Sequence, residues 1–444
     1  MKHTISLLLL VSIASTHVGR GASAQADSVR DQRTRSAALW DPGGPGCILW
    51  RAGHPSRPEH LPPPYRSPRI RDLFGPGVTE DHLAQGLYSG TERGPKLLTG
   101  ADGAQSLIVF TDPPNVGFFD PVLGAARQAA FAIAVGRVVG MVDDHDIVIS
   151  FDVSMPALGT SGPLASGVAT QYHQDGDFPF PDAWYGEPLA SHLDGADPDT
   201  DALDITIQFN SIWDMTSTPW FYGTGTAGPN AYHFIDVAMH EIVHGLDFAS
   251  SLTSSGALLF EDPAAFDLFL EKTSGSSLVD LPDVPSTVTG NNVVFDGGTA
   301  GITWRNHLDQ SGDPPIFAPT PFAMNSSLSH FIEAAPFTGD YELMSPNGEV
   351  GIGMLDVDPI VRGVLTDLGW NLHFAAVYVT LPTYGGPQTG KPHQPFIAVT
   401  SGLSAAASEG KDELFLSSGS HDVSALVINQ PVTLHAWPGT TVLE

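Results

Sequence analysis

This chain of 444 residues contains one cysteine, Cys47. No intramolecular disulfide can form, so the fold must rest on its apolar core. Basic residues are scarce too: 19 Lys and Arg stand against 49 Asp and Glu, for a formal net charge of −30. That balance argues against a nucleic-acid partner, which needs cations facing phosphate. It suits a soluble exported protein in salty or calcium-containing surroundings. The deficit is uneven, since residues 1–96 hold 12 basic and 8 acidic residues and residues 97–444 hold 7 and 41. Long apolar runs are also missing. The run from Ile5 to Ile13 is far shorter than the roughly 20 residues that span a bilayer. Lys2 and His3 precede it and Ala22-Ser23-Ala24 offers a cleavage site, so residues 1–24 read as a secretory signal cut near Ala24 and removed on export. The expected location is extracellular, with no membrane-spanning segment.

The informative stretch that is present is His240-Glu241-Ile242-Val243-His244. Histidines four apart on a helix point the same way, so both imidazoles can reach one metal ion. The glutamate between them lies about 100° around the helix, where it can touch a water without ligating the metal. Ile235, Met239, Ile242 and Leu246 recur at helical spacing on the opposite side. The expectation is a helix with one face on a core and the other on a cleft.

Zinc in a catalytic site takes three protein ligands and keeps one position for water. Ser327-Leu328-Ser329-His330 lies 86 positions after His244, followed by Tyr341-Glu342-Leu343-Met344-Ser345-Pro346 and Val364-Leu365-Thr366-Asp367-Leu368-Gly369-Trp370. In this order the motifs resemble the leishmanolysin branch of the metzincin metalloproteases, particularly its bacterial secreted relatives, over residues 105–370 or so. The resemblance implies that His330 is the third metal ligand and that Met344 is the methionine of the turn beneath the metal. It implies a zinc endopeptidase in which Glu241 is the general base acting on a zinc-activated water, with proteins or peptides as substrates. Tyr341 is close in sequence to these motifs, and nothing assigns it a donor role. From the residues alone, Glu261, Asp262 and Glu333 are the other candidates for the third ligand.

One position departs from the family pattern. Metzincins usually place glycine three residues after the second histidine, and this chain has Asp247 in Gly245-Leu246-Asp247-Phe248. Either Asp247 adopts a left-handed backbone, at a cost of about 1 kcal/mol, or Gly245 ends the helix and the turn is reshaped. Many metzincins also hold a pro-segment cysteine on the zinc. The surroundings of Cys47 match no such motif, and an incidental thiol is the preferred reading over an inhibitory ligand.

The expected organisation is a signal over 1–24, a pro-segment or disordered linker rich in Pro and Arg over 25–100, a metzincin-like catalytic domain over 101–372 and a β-rich tail over 373–444. The fold class is α+β. Leu107–Phe110, Ile147–Phe151 and Asp204–Ser211 read as strands, the last also resembling the family's rim strand, which borders the cleft and pairs with substrate. Gly124–Val139 reads as a helix, and a helical piece is expected near Pro263–Glu271 within a loop-rich insertion over 251–325. The short strands of the tail resemble the opening coils of a right-handed parallel β-helix. Asp194, Asp197, Asp199, Asp201 and Asp204 form an acidic run that makes Ca2+ a candidate second ion. Ala202 and Gln208 replace the glycine and closing glutamate of an EF-hand loop, which favours a solvated acidic loop instead. The function these features imply is a secreted zinc metalloendopeptidase. The rival from another class is a non-catalytic surface or adhesion protein with a degenerate protease domain.

Overall fold

The structure is a computed structural model. The described residues are 47–51, 96–99, 105–143, 147–174, 176–308, 311–332, 343–352, 357–372, 376–381, 388, 391, 394–409, 411, 413–417, 419–423, 428, 431–436 and 441–443. The signal stretch, Glu333 and Tyr341 therefore lie outside them.

In chain order the elements that position the site are β1 (Cys47–Arg51), β2 (Lys96–Thr99), β3 (Gln105–Phe110), α1 (Gly124–Val138), β4 (Val148–Ser154), β5 (Ala165–Ala169), α2 (Glu187–Asp194), β6 (Ile205–Phe209) and α3 (Phe234–Gly245). The insertion supplies β7 (Leu270–Lys272), β8 (Ser276–Ser277), β9 (Val293–Phe295), α4 (Gly298–Leu308) and β10 (Pro315–Ile316). There follow β11 (Asn347–Gly348) and α5 (Pro359–Leu368). The architecture is mixed α and β. One seven-stranded sheet runs β11-β1-β5-β6-β4-β3-β2, and a four-stranded sheet runs β8-β7-β9-β10.

The large sheet is mixed. β3, β4 and β6 are parallel, β5 is antiparallel to β6, and β1 is antiparallel to β5. Its central strands carry Ile108, Phe151, Val153, Ile205, Ile207 and Phe209, all buried, as expected for strands covered on both faces. Helices α1 and α3 pack on each other, and α3 also packs on β5. Phe118, Phe131 and Phe209 meet edge to face at 6.0–6.2 Å, and Phe209 lies 4.6 Å from Phe234 at the start of α3. Burying each of these rings is worth about 2–3 kcal/mol, so α3 is fixed at its first turn by an aromatic core.

The rim-strand expectation needs correction. Asp204–Ser211 does contain a strand, β6, but β6 is interior, paired on one side with β4 and on the other with β5. All five of its residues are buried, and alternation in sequence alone could not separate an interior strand from an edge strand. In the sheet β5 stands between β6 and β1. The helical piece expected near Pro263–Glu271 is a short 3-10 helix, Ala265–Phe269, that runs into β7. The amides of Ser251 and Ala264 donate to the buried Asp267 carboxylate, which closes this turn. α4 was unexpected, because Gly297-Gly298-Thr299-Ala300-Gly301 reads as loop. Asp367 explains it: its carboxylate accepts from the Thr299 and Ala300 amides at 2.8 Å each, satisfying two of the orphan donors at the start of α4.

The tail has β12 (Ala376–Val379), α6 (Val399–Glu409), β13 (Glu413–Leu416) and β14 (Thr433–Ala436). β12, β13 and β14 are parallel neighbours, with Val377, Val379, Leu414 and Leu416 in a small core of their own under α6. Residues 424–427 of the tail lie outside the described residues. Among the described residues no helix is long and apolar enough to cross a membrane.

Candidate metal centre

The HExxH segment forms the last two turns of α3, and Ile235, Met239, Ile242 and Leu246 all sit in the core as their spacing predicts. Asp236 lies in the first turn, where a negative charge suits the helix dipole. The C-terminal end is decided by Asp247. Its φ is +74°, its amide donates to His244 O, and the Phe248 amide donates to Val243 O. This is a Schellman turn with aspartate where glycine usually stands. The Asp247 carboxyl accepts from the Gly186 amide at 2.7 Å, a buried hydrogen bond that offsets the left-handed strain. Gly245 is required for a different reason: a Cβ there would come within 2.5 Å of the Ile205 side chain on β6.

His330 joins the pair from a loop whose Leu328 also has positive φ, +69°. Main-chain bonds on both sides of His330 hold it in place, Leu328 N–H to Phe317 O, Phe317 N–H to His330 O and Phe331 N–H to Met344 O. Each imidazole donates from Nδ1 to a main-chain carbonyl: His240 to Leu343 O at 2.6 Å, His244 to Phe248 O at 2.8 Å and His330 to Ser326 O at 2.7 Å. A carbonyl only accepts, so the proton of each neutral ring is on Nδ1 and each Nε2 carries a bare lone pair. The three Nε2 atoms converge. His240 lies 2.9 Å from His244 and 3.2 Å from His330, and the three donor atoms fall within 4.8 Å of one another.

Three facing lone pairs cannot hydrogen-bond to each other. They are the donor set of a cation, and the edges are near the ~3.3 Å expected between nitrogens about 2.0–2.1 Å from one tetrahedral centre. Burial pushes His240 down to about 4, and pushes His244 and His330 well below the ordinary imidazole value, aided by their mutual repulsion. All three are thus neutral near pH 7 and ready to ligate without losing a proton.

Glu241 is fully buried, and neither carboxylate oxygen has a hydrogen-bond partner among the described residues. Burial raises its pKa well above the usual carboxylate value. A buried, unpartnered carboxylate on the residue next to His240 and three converging bare imidazole nitrogens fit a centre that could hold a cation. The residues therefore fit a metal ion. The site differs from expectation in one respect: α3 is buried all round, so the histidine face meets protein rather than an open cleft.

Met344 is fully buried, and the carbonyl before it, Leu343 O, orients His240. Glu261 is exposed and Asp262 bonds to Gln174, so neither approaches the histidines. Sequence reasoning missed the three orienting carbonyls, which leave no side-chain signal. It also missed Gly167 on β5, where a Cβ would lie 2.3 Å from Glu241 O. Trp370, in the last motif, reaches back from the end of α5 and donates from Nε1 to Leu246 O at 3.0 Å.

The acidic run does not converge as a set. The Asp199 amide donates to Asp197 and the Asp201 amide to Asp199, local turns that spread the carboxylates apart. Asp194 is exposed. Asp197 and Asp204 instead meet Glu187 of α2, with carboxylate oxygens within 4.8 Å of one another.

Comparison of the chain with protein-family models, with curated proteins and with solved structures finds no match.

Proposed function

We propose that this chain is a secreted zinc-dependent endopeptidase of the leishmanolysin-like kind. The observation that carries the reading is the convergence of the three Nε2 lone pairs of His240, His244 and His330, with the buried, unpartnered carboxylate of Glu241 on the residue next to His240. Neutral imidazoles in a three-ligand set favour zinc over hard cations, which prefer oxygen donors. A bound zinc ion supplies Lewis acidity for a peptide carbonyl and a lowered pKa for water. The chain supplies the rest. The carbonyls of Leu343, Phe248 and Ser326 fix tautomer and ring direction, as outer partners of metal-bound histidines do. Glu241, one residue from His240, takes the proton of the attacking water and returns it to the leaving amine. Burial excludes bulk water and strengthens each of these interactions.

Glu241→Gln in zinc-loaded protein tests the assignment. The amide keeps shape and loses basicity, so zinc content should stay at the wild-type level while cleavage of unstructured protein substrates falls by about 10²–10⁴-fold. Wild-type cleavage by this variant would overturn the mechanism. A wild-type protein that binds zinc and cleaves nothing would favour the surface-protein rival.

A further inference from the structure

His240 and His244 share α3, but His330 arrives on a separate loop, and a metal ligand tolerates a misplacement of only about 0.2 Å. The distance between the pair and the third ligand must therefore be set by contacts outside the helix. The stretch Phe248–Ser251, which leaves the end of α3, supplies three of them. The Phe248 carbonyl accepts from His244 Nδ1 at 2.8 Å. The Phe248 ring lies 5.3 Å from Phe331, the residue after His330. The Ser250 amide donates to Oγ of Ser329, the residue before His330, at 2.9 Å. One short stretch thus touches the second ligand and both chain neighbours of the third.

Behind this stretch stands Asp267, fully buried on the 3-10 helix that precedes β7. Its carboxyl accepts from the Ser250 hydroxyl at 2.6 Å, from the Ser251 amide at 3.1 Å and from the Ser251 hydroxyl. It also accepts from the Ala264 amide at 3.1 Å. Each of the two hydroxyls accepts an amide in turn, Ser250 Oγ from Leu252 at 3.1 Å and Ser251 Oγ from Ala264 at 3.3 Å, and gives its own proton to the carboxyl. Phe266, the residue before Asp267, backs the Phe248 ring at 5.0 Å. We infer that Asp267 is a positioning residue for the metal centre: through Ser250 and Ser329 it holds the His330 loop in register with His244. It touches neither metal nor substrate. This role requires that the three histidines share one metal ion, and it does not require peptide cleavage. If Asp267 merely closed the turn between Ser251 and Ala264, its effect on the metal would not pass through His330.

The test measures zinc affinity of the full-length protein by chelator competition. Asp267→Asn keeps the volume but puts a donor in place of one acceptor oxygen, where only donors converge. Ser329→Ala removes the acceptor of the Ser250 amide and leaves the carboxyl in place. Each change should weaken zinc binding by about tenfold, the low end of the range for outer partners of metal ligands. In a His330→Ala background the same changes should alter zinc affinity by less than about twofold, because the route ends at the missing ligand. Equal weakening with and without His330 would mean support of the fold alone and would overturn the inference, as would wild-type affinity in either variant. The β4 amides (Val148–Ser154) report folding by hydrogen exchange. Should Asp267→Asn lose their protection, Ser250→Ala takes its place, since it removes the 2.6 Å bond to the carboxyl and keeps the Ser250 amide. A wild-type chain that binds no zinc, or a His330→Ala variant that binds it as tightly as wild type, overturns the shared-ion reading, and the positioning role falls with it.

Discussion

Asp247 offers a perturbation whose sign and size both follow from the structure. It is buried, left-handed at φ +74° and bonded to the Gly186 amide. Burial is the main cause that pushes its carboxyl up to about 7; the nearby Asp267 charge adds to this, and the Gly186 bond and His173 oppose it. The unfolded value is about 3.9. Between these values the native state binds more protons than the unfolded state, so this group's contribution to stability is full below about pH 4 and is lost as pH rises through about 7. Some three pH units at about 1.4 kcal/mol each set an upper bound of about 4 kcal/mol. Asp247→Asn keeps an oxygen for the Gly186 amide, tolerates the left-handed backbone and carries no charge. Urea unfolding of both proteins, with chelator present so that metal binding does not enter, should show them within about 1 kcal/mol of each other near pH 4.5. Near pH 8 the Asn variant should be more stable by up to about 4 kcal/mol. A difference that does not change with pH would refute the buried-carboxyl argument, and an Asn variant weaker at every pH would show that the charge itself anchors the turn.

Two further substitutions test the supports around the centre. Trp370→Phe leaves the buried Leu246 carbonyl without its indole donor, and should lower unfolding free energy by about 1–2 kcal/mol with zinc binding retained; an unchanged urea midpoint contradicts that. Gly167→Ala puts a methyl 2.3 Å from Glu241 O, so β5 or α3 must shift. Overpacking of this kind costs about 1–3 kcal/mol, and peptide cleavage should drop more than zinc affinity, because the displaced residue is the base rather than a ligand.

Much of the centre was legible because its chemistry imposes spacing. His240 and His244 share a helix face, and the stripe Ile235, Met239, Ile242, Leu246 dictates which face turns inward. His330 could be singled out only through the family resemblance, since no local rule links it to a helix 86 positions earlier; its convergence with the pair depends on the long-range pairing of the segments at Phe317 and Met344. The strands β3, β4 and β6 followed from apolar pattern, but their order did not. Whether β6 is an edge is decided by β5, whose Ala165-Ser166-Gly167-Val168-Ala169 has too little bulk to announce itself as a strand. α4 depended on Asp367, a cap supplied from 67–68 residues away. Glu187 entered the acidic cluster through tertiary packing of α2, while the sequence-local aspartates dispersed into turns.

The central claim is that one zinc ion sits among three imidazoles, one of them remote in the chain. X-ray absorption at the zinc edge of the loaded protein measures this directly. The account predicts one tightly bound zinc per chain with three imidazole nitrogens at about 2.0–2.1 Å, and two in His330→Ala. A wild-type centre with two imidazoles, or one unchanged by His330→Ala, would contradict it.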